Sequence, residues 1–513
     1  MKRIIKNITL ALAVIGMSSC NKLDLNVNPV QPVTVPSKQR LPAIEANLAY
    51  SLYSQARFAS YHSYYFTTRT GNSNAITDTW NYNSITRMGA WRWHYFDVGS
   101  NVNGMVNRAT EDGSNNYVGV GKIILAMSFL SATDVFGDMP LKQAYSGSFN
   151  PVYDTQEEVL AGIGKMLDDG VAALDNVGGQ AETMDGTSDL VYNGNLQKWK
   201  AFALAVKARL KLRTANFQNG HQEVVDLVNA ALVNFEDALL RYPKGSTGAW
   251  THNLWGPTDP PPAGEAFQFA DIKSDLVNTL PTDFLMNALT VTVDPAGNTF
   301  DPRLFKLTTP GTKNKYLGAK MSEGLRDVAL PTGTTFQDFA NLHNGYWTAD
   351  DSPYPIILKE ELYFIKAESQ FHLNQKDAAF QSYQQGVRAN MERLGIPEGQ
   401  IINYMGSLAP TVAKNAAELD IKHIMMQKYI ALYLQGETWT DMRRYGYSTK
   451  AYPGMYYPRY ALAEWGGKFI QRFPYDPQTE YVFNPKEIDR LGAKVRNWVF
   501  EPVWWAKNST LKN

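Results

Sequence analysis

The sequence predicts a mostly α-helical protein, a scaffold of tetratricopeptide-like helical repeats carrying a large loop-rich region for ligand binding. Three observations predict it. Apolar residues recur at helical spacing in several long segments, strand patterns are few and short, and the stretch 241–357 breaks the periodicity altogether.

The chain opens on Lys2, Arg3 and Lys6, followed by an apolar run from Ile8 to Met17 and then Ser18-Ser19-Cys20. A basic patch, a short apolar core and small residues make a secretory signal peptide. Ten residues rise only about 15 Å as a helix, half of a bilayer core of roughly 30 Å. The ending Met17-Ser18-Ser19-Cys20 resembles a bacterial lipobox, so residues 1–19 are expected to be removed and Cys20 to be acylated. No later stretch is read as approaching the 18 apolar residues of a membrane span, so the body is read as tethered by its lipid. Cys20 is the sole cysteine, which excludes a disulfide framework and a Cys-based zinc site. Without Lys2, Arg3 and Lys6 the chain keeps 46 basic against 49 acidic residues, a net charge near −3. Such a balance offers no footprint for nucleic acid or anionic lipid. Three prolines and little periodicity make residues 20–40 an extended tether, leaving 41–513 as the folded part.

Within that part, 155–176 places Leu160, Ile163, Leu167, Val171 and Leu174 on one helical face, and Thr155 with Glu158 forms a capping box. In 197–216 a stripe of Trp199, Phe202, Val206 and Leu210 predicts a core face, with Lys200, Lys207, Arg209, Lys211 and Arg213 mostly directed elsewhere. Val224–Phe235 and 415–435 read as further helices. Tyr363, Ala367, Ala379, Tyr383 and Gly386 stand at the aromatic and small positions of a tetratricopeptide hairpin, with its turn at Asn374-Gln375-Lys376-Asp377. Such a hairpin cannot bury its face alone and must stack on neighbours. The scaffold is therefore assigned to about 41–240 and 358–450. The segment 241–357 between them holds 12 of the 26 prolines and ten glycines. Long irregular segments of this kind usually carry function.

No familiar catalytic motif emerges. The seven histidines are scattered without metal spacing, and no nucleophile elbow, Walker loop or calcium loop is present. The pairs Gly119/Gly121 and Gly162/Gly164 lie in helical sequence and read as packing positions. No cofactor, metal or catalytic residue is therefore assigned. Paired carboxylates such as Asp350-Asp351 and Glu360-Glu361 leave a secreted glycoside hydrolase as the alternative reading. Aromatic residues make up 12% of the chain. Trp199 and Trp439 read as core, and Trp504-Trp505 as a C-terminal anchor. Trp80, Tyr82, Trp250, Trp255 and Trp347 lie in loop-like sequence with no apolar stripe beside them. Rings of this kind, framed by amides and acids, suit the apolar face of a sugar, so these five are the candidate ligand-binding residues.

Six blocks in order resemble the SusD/RagB family of outer-membrane nutrient-binding lipoproteins of Bacteroidetes. They are DVFGDMPL at 134–141 with YDTQEEV at 153–159, NLQKWKAFALAVKARLKLR at 195–213, DPRL at 301–304, EELYFIKAESQFHL at 360–373, QKYIALYLQGETWTDMRRYGY at 427–447 and EPVWWAK at 501–507. The resemblance implies a right-handed pile of helix pairs under an irregular ligand face. It also implies a lipid-anchored protein on the outer membrane, facing the exterior, that captures an oligosaccharide or another oligomeric nutrient. Its partner would be a TonB-dependent barrel of the SusC type, which receives the ligand, and no catalysis would occur. The blocks are mostly scaffold, and no binding residue is carried over from the resemblance.

Overall fold

A computed structural model describes residues 35–69, 75–82, 85–242, 252–256, 276, 278–290, 300–325, 330 and 332–509. The signal peptide, Cys20, the tether up to residue 34 and Trp250 lie outside the described residues.

The longer helices are α1 (Ser37–His62), α2 (Asn101–Glu111), α3 (Asn115–Phe136), α4 (Gln156–Asp175), α5 (Leu196–Leu212), α6 (His221–Leu232), α7 (Asp283–Thr290), α8 (Lys359–His372), α9 (Lys376–Arg393), α10 (Glu398–Met405), α11 (Ile421–Ala431) and α12 (Glu437–Arg444). A π-helical segment, Trp93–Ser100, runs directly into α2. Among the described residues, four strands of three or four residues accompany them: β1 (Phe66–Thr68), β2 (Ala238–Leu240), β3 (Thr279–Pro281) and β4 (Tyr354–Ile357). The architecture is the mostly helical one expected.

The helices stack in chain order. α2 packs on α3, α3 on α4, α4 on α5, α5 on α6, α6 on α8, and α8 on α9, while α1 crosses α2 and α3 and α11 closes against α8. The expected details hold along this stack. Thr155 accepts from the Glu158 N–H while the Glu158 carboxylate takes the Thr155 N–H, so α4 starts where its capping box predicts. Trp199, Phe202, Val206 and Leu210 are buried. In the α8–α9 hairpin Ala367 and Ala379 are fully buried, and a Cβ on Gly386 would stand 2.9 Å from the Phe364 ring. Close approach of the two helices therefore needs glycine at 386.

Three sequence expectations are corrected. The tether does not stay extended to residue 40: Leu41, Ile44 and Leu48 are buried on one face and draw the helix back to Ser37. α3 is long and apolar enough to cross a bilayer by length and composition, contrary to the reading that no later stretch is, but 83% of its apolar window is buried inside the protein. It is a core helix. Finally, Arg209 and Arg213 do not point away from the core. Arg209 forms a bidentate pair with Glu361 at 2.5 Å, and Arg213 bridges Asp134 at 2.8 Å and Glu437 at 2.6 Å. Lys428–Asp441 and Arg444–Glu368, each at 2.7 Å, extend these buried pairs across α8, α11 and α12. Burial alone would raise the Glu437 carboxyl, but Arg213 and Arg209 outweigh it and hold the group down at about 2. These pairs fix which helix meets which, because a charge left here without its partner would be strongly unfavourable.

The loop-rich region has a physical boundary. β2 and β4 pair antiparallel, Ala238 opposite Ile357 and Leu240 opposite Tyr354, so the chain leaves the scaffold and returns to it at one place. β1 and β3 pair as well, and isolated bridges join Thr282 to Ala319, Leu317 to Phe339 and Thr309 to Asn341. The region is thereby pinned to the C-terminal end of α1.

Candidate functional site

Of the five aromatic residues picked from the sequence, four are core. Trp80, Tyr82, Trp255 and Trp347 are each no more than 2% exposed. Trp255 packs edge-on against Tyr53 and Phe66. Trp80 lies among His62, Tyr457 and Phe469. The Tyr82 hydroxyl is 2.5 Å from His62 Nε2, and Trp347 packs edge-on against Tyr346. Trp80, Tyr82 and Trp255 lack a helical stripe because their partners come from other parts of the chain. Their burial corrects the expectation that they form a ligand platform, and Trp250, the fifth, lies outside the described residues.

The loop-rich region presents a different group of rings. Phe300 and Phe305 are 39% and 54% exposed, and their centroids lie 6.0 Å apart at 72°. Tyr316, half-buried, completes the group at 6.4 Å from Phe300 and 5.6 Å from Phe305. Among the described residues no other pair of touching rings has both members more than a third exposed. Full burial of a phenylalanine is worth roughly 1.5–3 kcal/mol, and these two rings, 39% and 54% exposed, forgo about half of it, which makes a contiguous exposed cluster informative.

The backbone beneath these rings is held firmly. Arg303, between the two phenylalanines, is fully buried and binds the Asp301 carboxylate at 2.7 Å, Gln427 Oε1 at 2.7 Å and the Tyr404 hydroxyl at 3.1 Å. Burial opposes its charge, but Asp301 and Tyr404 more than restore it, so the guanidinium stays protonated. The DPRL block is therefore an anchor, and Phe300 and Phe305 stand at its two ends. Tyr316 is positioned by the next residue, Leu317, which bridges Phe339, and by Lys315, whose ammonium reaches the Gly333 carbonyl at 2.9 Å.

α7 joins this cluster to a pocket. The Asp301 N–H donates to the Leu289 carbonyl at 2.9 Å, which sets Phe300 beside the end of α7. The same helix lends Asp283, Phe284 and Asn287 to a cavity of about 250 Å³ completed by Thr411, Met426 and Tyr456. The Tyr456 hydroxyl donates to Asp283 at 2.7 Å and accepts from the Met321 N–H at 2.7 Å. Burial pushes the Asp283 carboxyl up, and the Tyr456 bond partly offsets this. An apolar floor with a few convergent amide, hydroxyl and carboxyl groups, next to exposed rings, is the chemistry of a site for a neutral polar ligand. Among the described residues no group of three or more metal-ligating side chains converges.

Sequence reasoning missed Phe300, Phe305 and Tyr316. The one available signal was that two phenylalanines flank the DPRL block, which that reading used only as scaffold.

Residues 29–475 match the SusD-like family described as starch-binding and associating with the outer membrane. A search of curated proteins finds no match. Solved structures share the fold. A chitin-binding SusD homologue from Flavobacterium johnsoniae superposes with a TM-score of 0.69 at 20% identity, covering 92% of this chain and 98% of that one. A SusD homologue from Bacteroides uniformis gives 0.66 at 20% identity over 92% and 99% of the two chains. A SusD/RagB family protein from Bacteroides thetaiotaomicron gives 0.64 at 20% identity over the same shares.

Proposed function

The chain belongs to the SusD-like family, described as starch-binding and associated with the outer membrane, and on that premise we propose that it is a cell-surface glycan-binding protein. The match over residues 29–475 is the observation that carries this reading. The chitin-binding neighbour supports a polysaccharide as the ligand class. Phe300, Phe305 and Tyr316 supply the contact: their rings offer apolar faces to the C–H side of a sugar, and the adjoining pocket offers Asn287, Thr411 and Asp283 to its hydroxyls.

In this reading Cys20 carries the lipid, the protein rests on the outer membrane, and captured glycan passes to a SusC-type TonB-dependent transporter. Binding does the work and no bond is broken. Affinity electrophoresis through gels containing starch or solubilised chitin, with reducing ends assayed in parallel, tests it. Retardation without new reducing ends is expected. Release of reducing ends would overturn the non-catalytic reading and favour the hydrolase, and retardation in none of a broad glycan panel would overturn the ligand class. Co-purification with a TonB-dependent barrel from detergent-solubilised outer membranes is the expected sign of the partner.

A further inference from the structure

A second, separately built cleft lies near the C-terminus. It encloses about 640 Å³, within the range of small-ligand sites, and shares no lining residue with the pocket beside α7. One wall is Trp498, 9% exposed, with the Arg472 guanidinium 4.1 Å from its ring centroid. Arg472 is itself immobilised. It donates to the Glu501 carbonyl at 2.6 Å and the Pro502 carbonyl at 2.7 Å, and it pairs with no carboxylate among the described residues. Trp504 forms another wall. It is half-buried, its edge held by Phe217 at 5.5 Å and 81°, and the indole still lines the cleft.

The lining also includes Glu157, Glu501 and Lys507, all exposed, whose side chains make no hydrogen bond or ion pair to other described residues. These groups decide the ligand class. An anion would meet two free carboxylates, and a cation would meet Arg472 and Lys507. A neutral polyhydroxylated molecule satisfies both signs, donating hydroxyl protons to Glu157 and Glu501 and accepting from Lys507. Its apolar face has an indole on which to lie.

We propose that this cleft is a second glycan-contact site, holding a further stretch of polysaccharide through Trp504, Glu157, Glu501 and Lys507. The inference rests on the glycan-binding reading above. Two contacts on one polymer raise retention through effective concentration without strengthening either contact alone.

The test uses protein labelled with 5-fluorotryptophan, with the Trp504 fluorine resonance assigned by its loss in Trp504→Phe. Maltoheptaose, chitohexaose and the polysaccharide that retards the protein are titrated into the otherwise unaltered protein and into the Phe300→Ala/Phe305→Ala variant. The Trp504 resonance should move in both. Lys507→Ala and Glu501→Ala change only exposed, unpaired side chains, so folding is retained. Each should weaken the titration read at Trp504 by about two- to tenfold. Glycan that retards the protein while leaving the Trp504 resonance still would overturn the second site and leave the proposed function standing. If no glycan retards the protein or moves any resonance, both readings fall together.

Discussion

His94 gives a prediction whose size follows from the structure. Its ring is fully buried in the π-helical segment, packed edge-on against Tyr95 at 4.5 Å and Phe129 at 4.4 Å, with Nδ1 2.8 Å from Ser128 Oγ. Burial lowers its pKa from 6.5 to about 3. The sign follows from proton counting. Between those values the unfolded chain binds a proton that the folded chain refuses, so stability falls as pH drops below 6.5 and the loss levels off below about 3. For this one group the loss from pH 7 to pH 5 is about 2 kcal/mol, and it approaches about 5 kcal/mol at the acid limit. His94→Phe keeps an aromatic ring in the same contacts and removes the titration. Its absolute stability drops with the Ser128 bond, but its pH dependence should flatten. Urea unfolding followed by tryptophan fluorescence at pH 7, 6 and 5 measures this. Other titrating groups, such as His62, also lowered to about 3 by burial and then by Arg443, act equally on both proteins and cancel in the difference. The variant should lose about 2 kcal/mol less than the parent between pH 7 and pH 5. Parallel pH profiles would refute the claim that His94 is buried and neutral.

Further predictions concern packing and the ligand face. Glu361→Gln leaves the Arg209 guanidinium buried without the carboxylate it now meets at 2.5 Å, and should cost about 3–5 kcal/mol in denaturant titration. Gly386→Val forces a branched carbon into the Phe364 ring, 2.9 Å from the first added atom, and should lower stability by about 1–3 kcal/mol by thermal unfolding. Trp80→Ala and Phe305→Ala should behave in opposite ways. The first empties a core position and should cost about 3–5 kcal/mol of stability. The second removes a ring 54% exposed, should leave the melting curve nearly unchanged, and should act on glycan binding.

The helical scaffold was readable because its evidence is local. A capping box at Thr155 and Glu158, a stripe from Trp199 to Leu210 and the small residues Ala367, Ala379 and Gly386 declare themselves within one or two turns, and each stands where expected. Arg209 and Arg213 were misplaced for the converse reason. Their carboxylate partners lie 79 to 224 residues away, and a charged residue beside an apolar stripe looks solvated until such a partner is found. The same distance hid the fate of Trp80, Tyr82, Trp255 and Trp347. A large ring in irregular sequence offers no periodicity, yet Tyr53, His62, Phe66 and Phe469 supply from afar the surface that buries three of them. Phe300 and Phe305 were passed over because a phenylalanine in isolation reads as core. Only the buried Arg303–Asp301 anchor between them explains why both rings face outward.

In the proposed function Phe300, Phe305 and Tyr316 form the glycan platform. Isothermal titration calorimetry tests it most directly, with an oligosaccharide of the retarding polysaccharide titrated into the parent protein, Phe305→Ala and the Phe300→Ala/Phe305→Ala variant. Affinity should fall by about two- to tenfold for the single change and further for the double change, with unaltered melting temperatures. Equal affinity in all three proteins would contradict it.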